Sequence, residues 1–261
     1  MTLLNAAILG LVQGLTEFLP VSSSGHLVIV QHLLHFTDPN LAFDVVLHLG
    51  TLLAVFIYFG ADLRKILSAS LGKGDSKWRR VGLLILLGTV PTGVIGVLFK
   101  DVFERLFSSP ETVVWTLAVT GLLLFTADRV KRADRPLSGI GVKDAILIGV
   151  VQGISVIPGI SRSGSTIATG LYRRIEARAA ARFSFLLSIP AILGAVVLEG
   201  KDILGHTVGG SGAAFFVGFM TAAVSGWLAI RILMALLVRR GLTGFALYCW
   251  GVAAITFFWI V

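Results

Sequence analysis

The chain has 261 residues, of which 56% are hydrophobic and only 14% are charged, and its mean hydropathy is +0.91. A soluble domain carries about 25% charged residues, so this composition excludes an ordinary soluble protein and is typical of a polytopic membrane protein. The net charge of +8 does not indicate nucleic-acid binding, because the basic residues lie in loops between apolar segments.

The first element of the chain is predicted to be a re-entrant hairpin, in which a helix enters the membrane partway and the chain returns. Residues 3–19 are apolar but contain Gln13 and Glu17, and Pro20 follows them. About 20 apolar residues are needed to cross a bilayer, which makes this segment marginal and residues 27–36 too short. The Ser-Ser-Ser-Gly sequence between them is a suitable turn, since irregular backbone within a membrane is tolerated where protein or water covers it.

Six later segments are apolar and long enough to be transmembrane helices. They cover residues 41–60, 80–99, 111–128, 177–198, 213–237 and 243–261. A second re-entrant hairpin is expected at residues 141–172, because its first apolar arm is short and Pro158 and Gly159 interrupt it. The predicted fold is all-α: a polytopic membrane protein with six transmembrane helices plus two re-entrant helical hairpins in one integral-membrane domain, residues 1–261.

The two predicted hairpins are copies of one sequence. Residues 6–25, shifted by 139 positions, align with residues 145–164 without a gap, and eight of the twenty pairs are identical. The identical residues of the first copy are Ala6, Gly10, Val12, Gln13, Gly14, Ser22, Ser24 and Gly25. A match by composition alone is the alternative, but the register is retained at both ends. The chain is thus divided into repeats at about 1–130 and 140–261.

The distribution of basic residues predicts how the chain is oriented. Seventeen Lys and Arg residues lie in the loops at 61–80, 129–143, 173–182 and 239–240, whereas the opposite loops contain only Lys100, Arg105 and Lys201. Because basic loops stay in the cytoplasm, the first hairpin would enter from the outer side. Three spans separate the two hairpins, so the second would enter from the opposite face. The result is an inverted repeat whose hairpin tips meet near the midplane.

Glu17 is the most informative side chain of the first hairpin. A carboxylate within an apolar helix is energetically costly, which makes a functional role the default interpretation. A structural hydrogen bond to a neighbouring helix is the alternative. Gln13 lies one helical turn earlier on the same face, so the two side chains would present their oxygen atoms to one point.

Hydroxyl-bearing residues precede a helix in both hairpins. The first copy has Ser22, Ser23, Ser24 and Gly25, and the second has Ser161, Ser163 and Gly164 in the same register. One serine can serve as a helix N-cap, but three consecutive serines exceed what a cap needs. Since free N–H groups at a helix start bind anions, two converging helix starts predict a site for a multiply charged anion.

Two positions distinguish the copies chemically. Arg162 replaces Ser23, and a guanidinium in an apolar hairpin is suited to clamp a phosphate through paired hydrogen bonds. An arginine that extends to the membrane surface is the alternative. His26 could act as a nucleophile, as an acid for the leaving group or as a residue that orients Ser23. We interpret the other histidines, His32, His35, His48 and His206, as ordinary residues. Cys249 is interpreted as an inert, packed thiol.

These residues predict an anion-binding, hydroxyl-rich site with a carboxylate inside a membrane, which suits a lipid that carries phosphate or diphosphate. A transporter is a rival interpretation, because inverted repeats with broken helices near the midplane are typical of transporters. A non-enzymatic scaffold would leave Glu17, Arg162 and the paired serine turns unexplained.

The motifs Gln13-x-x-x-Glu17, PVSSSGH at 20–26 and PGISRSGST at 158–166 resemble those of the undecaprenyl-diphosphate phosphatase family of the bacitracin-resistance type. The resemblance covers the whole chain. It implies hydrolysis of undecaprenyl diphosphate to the monophosphate, which recycles a lipid carrier for cell-wall synthesis, with a polyprenyl-phosphate transporter as the alternative. It also implies a bacterial inner-membrane location, a divalent cation, Mg²⁺ or Ca²⁺, as cofactor, and a homodimer as an optional assembly.

The same resemblance implies roles for individual residues. Glu17 would be the essential carboxylate and Arg162 the phosphate clamp, while Ser23 would be the nucleophile, with His26 as second candidate. The residues expected to bind substrate are Gln13, Ser22, Ser24, Gly25, Ser161, Ser163, Gly164 and Thr166. Glu17 and Gln13 are the expected metal ligands. Many family members have a second glutamate in place of Gln13, which leaves open whether this position binds metal or takes part in acid–base chemistry.

Overall fold

The computed structural model describes residues 1–34, 41–107, 109–130, 133–204, 212–239 and 241–259. The regular structure in these ranges is helical, apart from one backbone bridge between Arg135 and Ile175. The helices are α1 (Leu3–Phe18), α2 (Ser23–Leu33), α3 (Leu41–Tyr58), α4 (Gly60–Ser70), α5 (Ser76–Leu98), α6 (Lys100–Phe107), α7 (Pro110–Ala127), α8 (Val142–Ile154), α9 (Arg162–Tyr172), α10 (Ala177–Leu204), α11 (Gly212–Arg239) and α12 (Thr243–Trp259). The prediction of an all-α protein is confirmed.

Three of the described helices contain stretches long and apolar enough to cross a membrane, at Ser76–Leu98, Ala177–Leu198 and Gly212–Leu237. The number rises to five if two bent helix pairs, α3 with α4 and α6 with α7, each count as one span. The axes of α3 and α4 differ by 75°. Hydropathy measures apolar length and does not detect such a bend. The predicted set of six spans is thus confirmed only for these three to five helices, and the remainder stays a prediction.

Large apolar side chains cover the outside of these helices. On α5 the exposed residues include Leu83, Leu86, Val90 and Val94, and on α12 the side chain of Phe258 is 79% exposed. An extended apolar surface of this kind marks contact with a membrane or a partner. Together with the apolar spans, it describes a multi-pass membrane protein.

Each hairpin consists of two helices joined by a turn, α1 with α2 and α8 with α9. Ser22 caps α2 and Ser161 caps α9, and each hydroxyl accepts the N–H of the glycine three residues later, at 3.2 and 3.0 Å. The Oγ atoms of Ser22 and Ser24 are 3.3 Å apart, and so are those of Ser161 and Ser163. The two hairpins therefore share local geometry as well as sequence.

Identical glycines let each hairpin pack closely against a helix of the other half of the chain. Helix α1 packs along α11, where a Cβ atom on Gly10 would lie 2.5 Å from the carbonyl oxygen of Gly218. Helix α8 packs along α5, where a Cβ atom on Gly149 would overlap the carbonyl oxygen of Gly88. Gly10 and Gly149 are equivalent positions of the repeated sequence, so the same residue permits the same close approach twice.

Candidate active site

The tips of the two hairpins are joined by an ion pair. Nη2 of Arg162, at the start of α9, lies 2.5 Å from Oε1 of Glu17, near the end of α1. Both side chains are largely buried, with exposed fractions of 16% and 6%. Nearby, the hydroxyl of Ser163 donates to the carbonyl oxygen of Leu19 at 3.2 Å. Glu17 and Arg162 are therefore close enough for one diphosphate group to contact both.

The second carboxylate oxygen of Glu17 accepts two further hydrogen bonds. The hydroxyl of Ser23 donates to Oε2 at 2.5 Å, and the side-chain amide of Gln13 donates to the same atom at 3.1 Å. Gln13 reaches it because residues four apart share a helix face. Ser23 reaches it because the turn brings the first residue of α2 back to the last turn of α1. A hydroxyl in direct contact with a carboxylate is the arrangement of a nucleophile and its base.

Two buried polar atoms of this cluster have no hydrogen-bond partner within the described residues. They are Oε1 of Gln13 and Nη1 of Arg162. Leaving a buried polar group unpaired costs about 1–3 kcal/mol, so a ligand that pairs with these atoms would remove that cost. An amide oxygen suits a cation, and a guanidinium N–H suits a phosphate oxygen.

A divalent cation fits this site only as an ion shared with a ligand. In the part of the chain that the structure describes, no group of three or more His, Cys, Asp or Glu side chains could hold a metal by itself. The candidate ligands are the oxygen atoms of Glu17 and Gln13, and both carboxylate oxygens of Glu17 already accept hydrogen bonds. Mg²⁺ is often bound by one or two carboxylates together with substrate phosphates. The residues present fit that mode of binding and do not form a closed protein cage.

His26 is directed toward α12. Its Nδ1 lies 2.7 Å from the carbonyl oxygen of Ser22, which only accepts, so Nδ1 carries a proton. In the neutral imidazole, Nε2 then accepts the hydroxyl proton of Tyr248 at 2.9 Å, and the two rings are nearly parallel. Sequence reasoning missed Tyr248, because a tyrosine in an apolar helix carries no signal of its own. The hydrogen bond of Ser23 is therefore to Glu17, whereas the ring nitrogens of His26 bond to Ser22 and Tyr248.

The other predicted phosphate ligands are engaged within the protein. The N–H groups of Gly25 and Gly164 donate to the hydroxyls of the N-cap residues, Ser22 and Ser161. The hydroxyl of Thr166 lies 2.7 Å from the carbonyl oxygen of Arg162 and 2.6 Å from the hydroxyl of Ser184 on α10. These bonds hold the first turn of α9 against α10 and so fix the base of the Arg162 side chain. Direct contact of these groups with substrate stays a prediction.

His48 is a second residue near the site that sequence reasoning missed. It lies on α3 in the neighbourhood of Glu17, and its Nδ1 is 2.8 Å from the carbonyl oxygen of Asp44. Only the packing of α3 against α1 brings the two residues near each other. The structure therefore adds His48 to the surroundings of the carboxylate.

Comparisons with known proteins reveal relatives over nearly the whole chain. The family described as bacitracin resistance protein BacA matches residues 6–255. A relative from Halothermothrix orenii is 44% identical over 96% of this chain and 95% of its own length. Relatives from Carboxydothermus hydrogenoformans and Methanobrevibacter smithii are 45% and 42% identical, over 94% and 98% of this chain and 93% and 97% of their own lengths. All three are named undecaprenyl-diphosphatase. The chain therefore belongs to the bacitracin resistance protein BacA family, as its motifs predicted.

Proposed function

We propose that this protein is a membrane-embedded phosphatase that removes the terminal phosphate of undecaprenyl diphosphate and yields undecaprenyl phosphate. The observation that carries the proposal is the contact chain Arg162–Glu17–Ser23, in which one buried carboxylate binds both a guanidinium and a hydroxyl. The activity for which the relatives are named agrees with it. These relatives favour an enzyme over the transporter considered above.

Arg162 binds the diphosphate in this proposal. Its Nη2 is held by Glu17, whereas its Nη1 is buried and unpaired among the described residues, so the guanidinium is oriented to offer Nη1 to a phosphate oxygen. Charge-assisted hydrogen bonds are about twice as strong as neutral ones. Ser23 and Arg162 are the first residues of α2 and α9 and both contact Glu17, so the positive ends of two helix dipoles converge there.

Ser23 acts as the nucleophile and Glu17 as its base. As the hydroxyl of Ser23 passes its proton to Oε2 of Glu17, its oxygen attacks the terminal phosphorus, and the bond from that phosphorus to the bridging oxygen breaks. Undecaprenyl phosphate leaves with the electron pair of that bond and receives the proton from Glu17. Ser23 is left as a phosphoserine.

Water completes the reaction. Glu17, again a carboxylate, takes a proton from a water molecule whose oxygen attacks the phosphorus of the phosphoserine. The bond from phosphorus to the Ser23 oxygen breaks, the proton returns to that oxygen, and inorganic phosphate is released. Such phosphoryl transfer depends mainly on positioning and on stabilisation of charge, which a buried carboxylate–guanidinium pair can supply.

His26 is the alternative nucleophile. Its Nε2 is paired with the hydroxyl of Tyr248, whereas Ser23 already touches a base. This geometry supports Ser23. It suits His26 to a positioning role, because its bond to the carbonyl oxygen of Ser22 supports the turn from which Ser23 projects.

The proposed cofactor is Mg²⁺ or Ca²⁺, shared with the substrate. Gln13 would offer its unpaired Oε1 and Glu17 its carboxylate. When bound, the ion would neutralise part of the diphosphate charge. The amide of Gln13 lacks the charge of the glutamate found in many family members, so we expect weaker metal binding than two carboxylates would give.

The proposed location is the inner membrane of a bacterial cell, with six spans, an inverted repeat and the first hairpin entered from the outer side. The equivalent packing of Gly10 and Gly149 supports the repeat, and the basic loops support the orientation. A homodimer stays a prediction.

Phosphate release from undecaprenyl diphosphate by the purified, reconstituted protein tests the activity, and mass spectrometry of rapidly quenched reactions tests the nucleophile. We expect one phosphate released per lipid and a transient phosphate on Ser23. Phosphate on His26 with none on Ser23 would contradict the assignment of the nucleophile. Movement of the lipid across the vesicle membrane without phosphate release would contradict the proposed phosphatase activity.

A further inference from the structure

A polar cavity lies among α3, α4, α5, α10, α11 and residues 136–138, and its lining does not include Arg162, Glu17 or Ser23. Its volume is about 810 Å³. Phe59, Trp78, Val81 and Met234 form much of its apolar wall. Charged side chains also line it, which gives the cavity an apolar side and a strongly polar side.

Positive charge predominates in this cavity. Its cationic side chains are Lys77, Arg178, Arg182 and Arg231, and its carboxylates are Asp62 and Glu176. Asp62 is only 5% exposed, and Arg182 donates to both of its oxygen atoms, so this pair neutralises itself. Three cations then remain against one carboxylate, an arrangement that attracts an anion.

Local contacts hold these cationic side chains in place. The guanidinium of Arg182 lies over the ring of Trp78, 5.1 Å from its centroid. Arg178 donates from Nε to the carbonyl oxygen of Met234 at 3.4 Å, and the guanidinium of Arg231 lies 5.5 Å from the ring centroid of Trp227. A guanidinium whose position is fixed in this way can bind phosphate oxygens with little further loss of side-chain freedom.

The cavity borders the apolar exterior of the protein. Leu83 on α5 is 58% exposed and lies close in sequence to Val81 of the cavity wall. On α11, Leu228 and Ile232, which precede and follow Arg231 in the chain, are exposed. A molecule with a phosphate headgroup and an apolar tail would match both surfaces at once. A nucleotide or an acidic peptide would use only the charged one.

A buried aromatic cluster separates this cavity from the candidate active site. The ring of Phe59, in the cavity wall, is 6.0 Å from that of Phe185, which is 5.4 Å from the ring of Phe18. Phe18 directly follows Glu17 in the chain. Glu17, Ser23 and Arg162 do not line this cavity, so the two polar regions are formed by different residues.

We propose that this cavity is a second binding site, which takes a terminal phosphate group, with at least three free oxygen atoms, through Arg178 and Arg231. The group can come from a lipid headgroup or from free inorganic phosphate, because both present the same oxygen atoms to a guanidinium. The site does not depend on the proposed catalysis.

Native mass spectrometry of the whole protein in detergent tests the proposal, with didecanoyl phosphatidic acid as the probe. All measurements use the Arg162→Gln background, so that phosphate binding at the candidate active site contributes little. We expect Arg178→Gln with Arg231→Gln to weaken the Kd for this lipid by about tenfold or more. The matched control is Arg79→Gln with Arg80→Gln, which removes two exposed cations of the first turns of α5 that do not line the cavity.

Unchanged binding in the cavity variant, or an equal loss in the control, would overturn the proposal, because exposed Lys and Arg residues would then attract anions without a specific site. Equal binding of didecanoyl phosphatidylcholine, which lacks a phosphomonoester, would also overturn it. Competition by inorganic phosphate identifies the source: displacement of the lipid assigns the site to free phosphate, and retention assigns it to the lipid headgroup. If the double variant does not elute as a monodisperse species, Arg231→Gln alone provides the test, since this side chain is exposed.

Discussion

Glu17 and Arg162 are 145 residues apart in the chain, and their side chains are 2.5 Å apart in the structure. They come from two copies of one sequence, but they occupy different positions of it, since Val156 is the counterpart of Glu17 and Ser23 is the counterpart of Arg162. Contact between the tips therefore combines a carboxylate, a hydroxyl and a guanidinium that neither copy possesses alone. A repeat of two identical hairpins would not produce this site.

Removal of the Ser23 hydroxyl should abolish phosphate release. Because a nucleophile and its base act as a unit, Ser23→Ala should lower kcat at least ~10³-fold in the phosphate-release assay. The matched control is Ser155→Ala in the second hairpin, which removes a buried hydroxyl that donates to the carbonyl oxygen of Val151 and should leave most of the activity. A Ser23→Ala protein with the normal rate would remove Ser23 from the nucleophile role.

The ion pair should affect stability and activity in separable ways. Glu17→Gln leaves the guanidinium of Arg162 buried without a counter-charge, which should destabilise the protein by about 3–5 kcal/mol. Adding Arg162→Met should restore much of that stability but none of the activity. Thermal unfolding in detergent, together with phosphate release, measures both effects.

An exposed ion pair provides the control for that experiment. Lys100 and Glu104 are 3.7 Å apart, and their side chains are 46% and 64% exposed. Glu104→Gln should change stability by no more than about 1 kcal/mol. If the double variant Glu17→Gln, Arg162→Met is no more stable than Glu17→Gln alone, the unpaired guanidinium is not the cause of the loss.

Tyr248 should act through His26. Tyr248→Phe removes the hydroxyl that donates a hydrogen bond to Nε2 of His26. We expect kcat to fall by about tenfold with little change in KM. His26→Gln should lower kcat as well, and the double variant should lose less than the product of the two single losses, because residues in contact are not additive. Fully multiplicative losses would mean that the two side chains act independently. Tyr172→Phe is the control, since this tyrosine is similarly exposed and its hydroxyl bonds to Thr126.

The sequence could predict those parts of the site that depend on local geometry. Gln13 and Glu17 share a helix face because of helical periodicity, and Ser22 and Ser161 cap helices because of their positions before them. The repeat also predicted that both hairpins would have the same form. These features depend on residues within about two helical turns of one another.

The sequence could not predict features that depend on the packing of helices far apart in the chain. Tyr248 lies on α12 and His48 on α3, and neither is near the hairpin motifs in the chain. Arg182 on α10 and Asp62 on α4 form a partly buried ion pair across 120 residues. Both segments were treated as loops at the level of sequence and used only to count positive charges. Helix α4 was missed for a different reason, because nearly all of its residues lie in the segment 61–80 that was treated as a basic loop.

The close approach of α8 to α5 should be necessary for activity although it is remote from the chemistry. A Cβ atom on Gly149 would overlap the carbonyl oxygen of Gly88, so Gly149→Ala should push the second hairpin outward and destabilise the protein by about 1–3 kcal/mol. Arg162 is carried by that hairpin, and a displacement of about 1 Å can cost about 10²-fold in rate. Gly93→Ala, on α5 with open space around its Cβ position, should retain both stability and phosphate release. A Gly149→Ala protein that is as stable and active as the Gly93→Ala protein would show that backbone contact does not position the arginine.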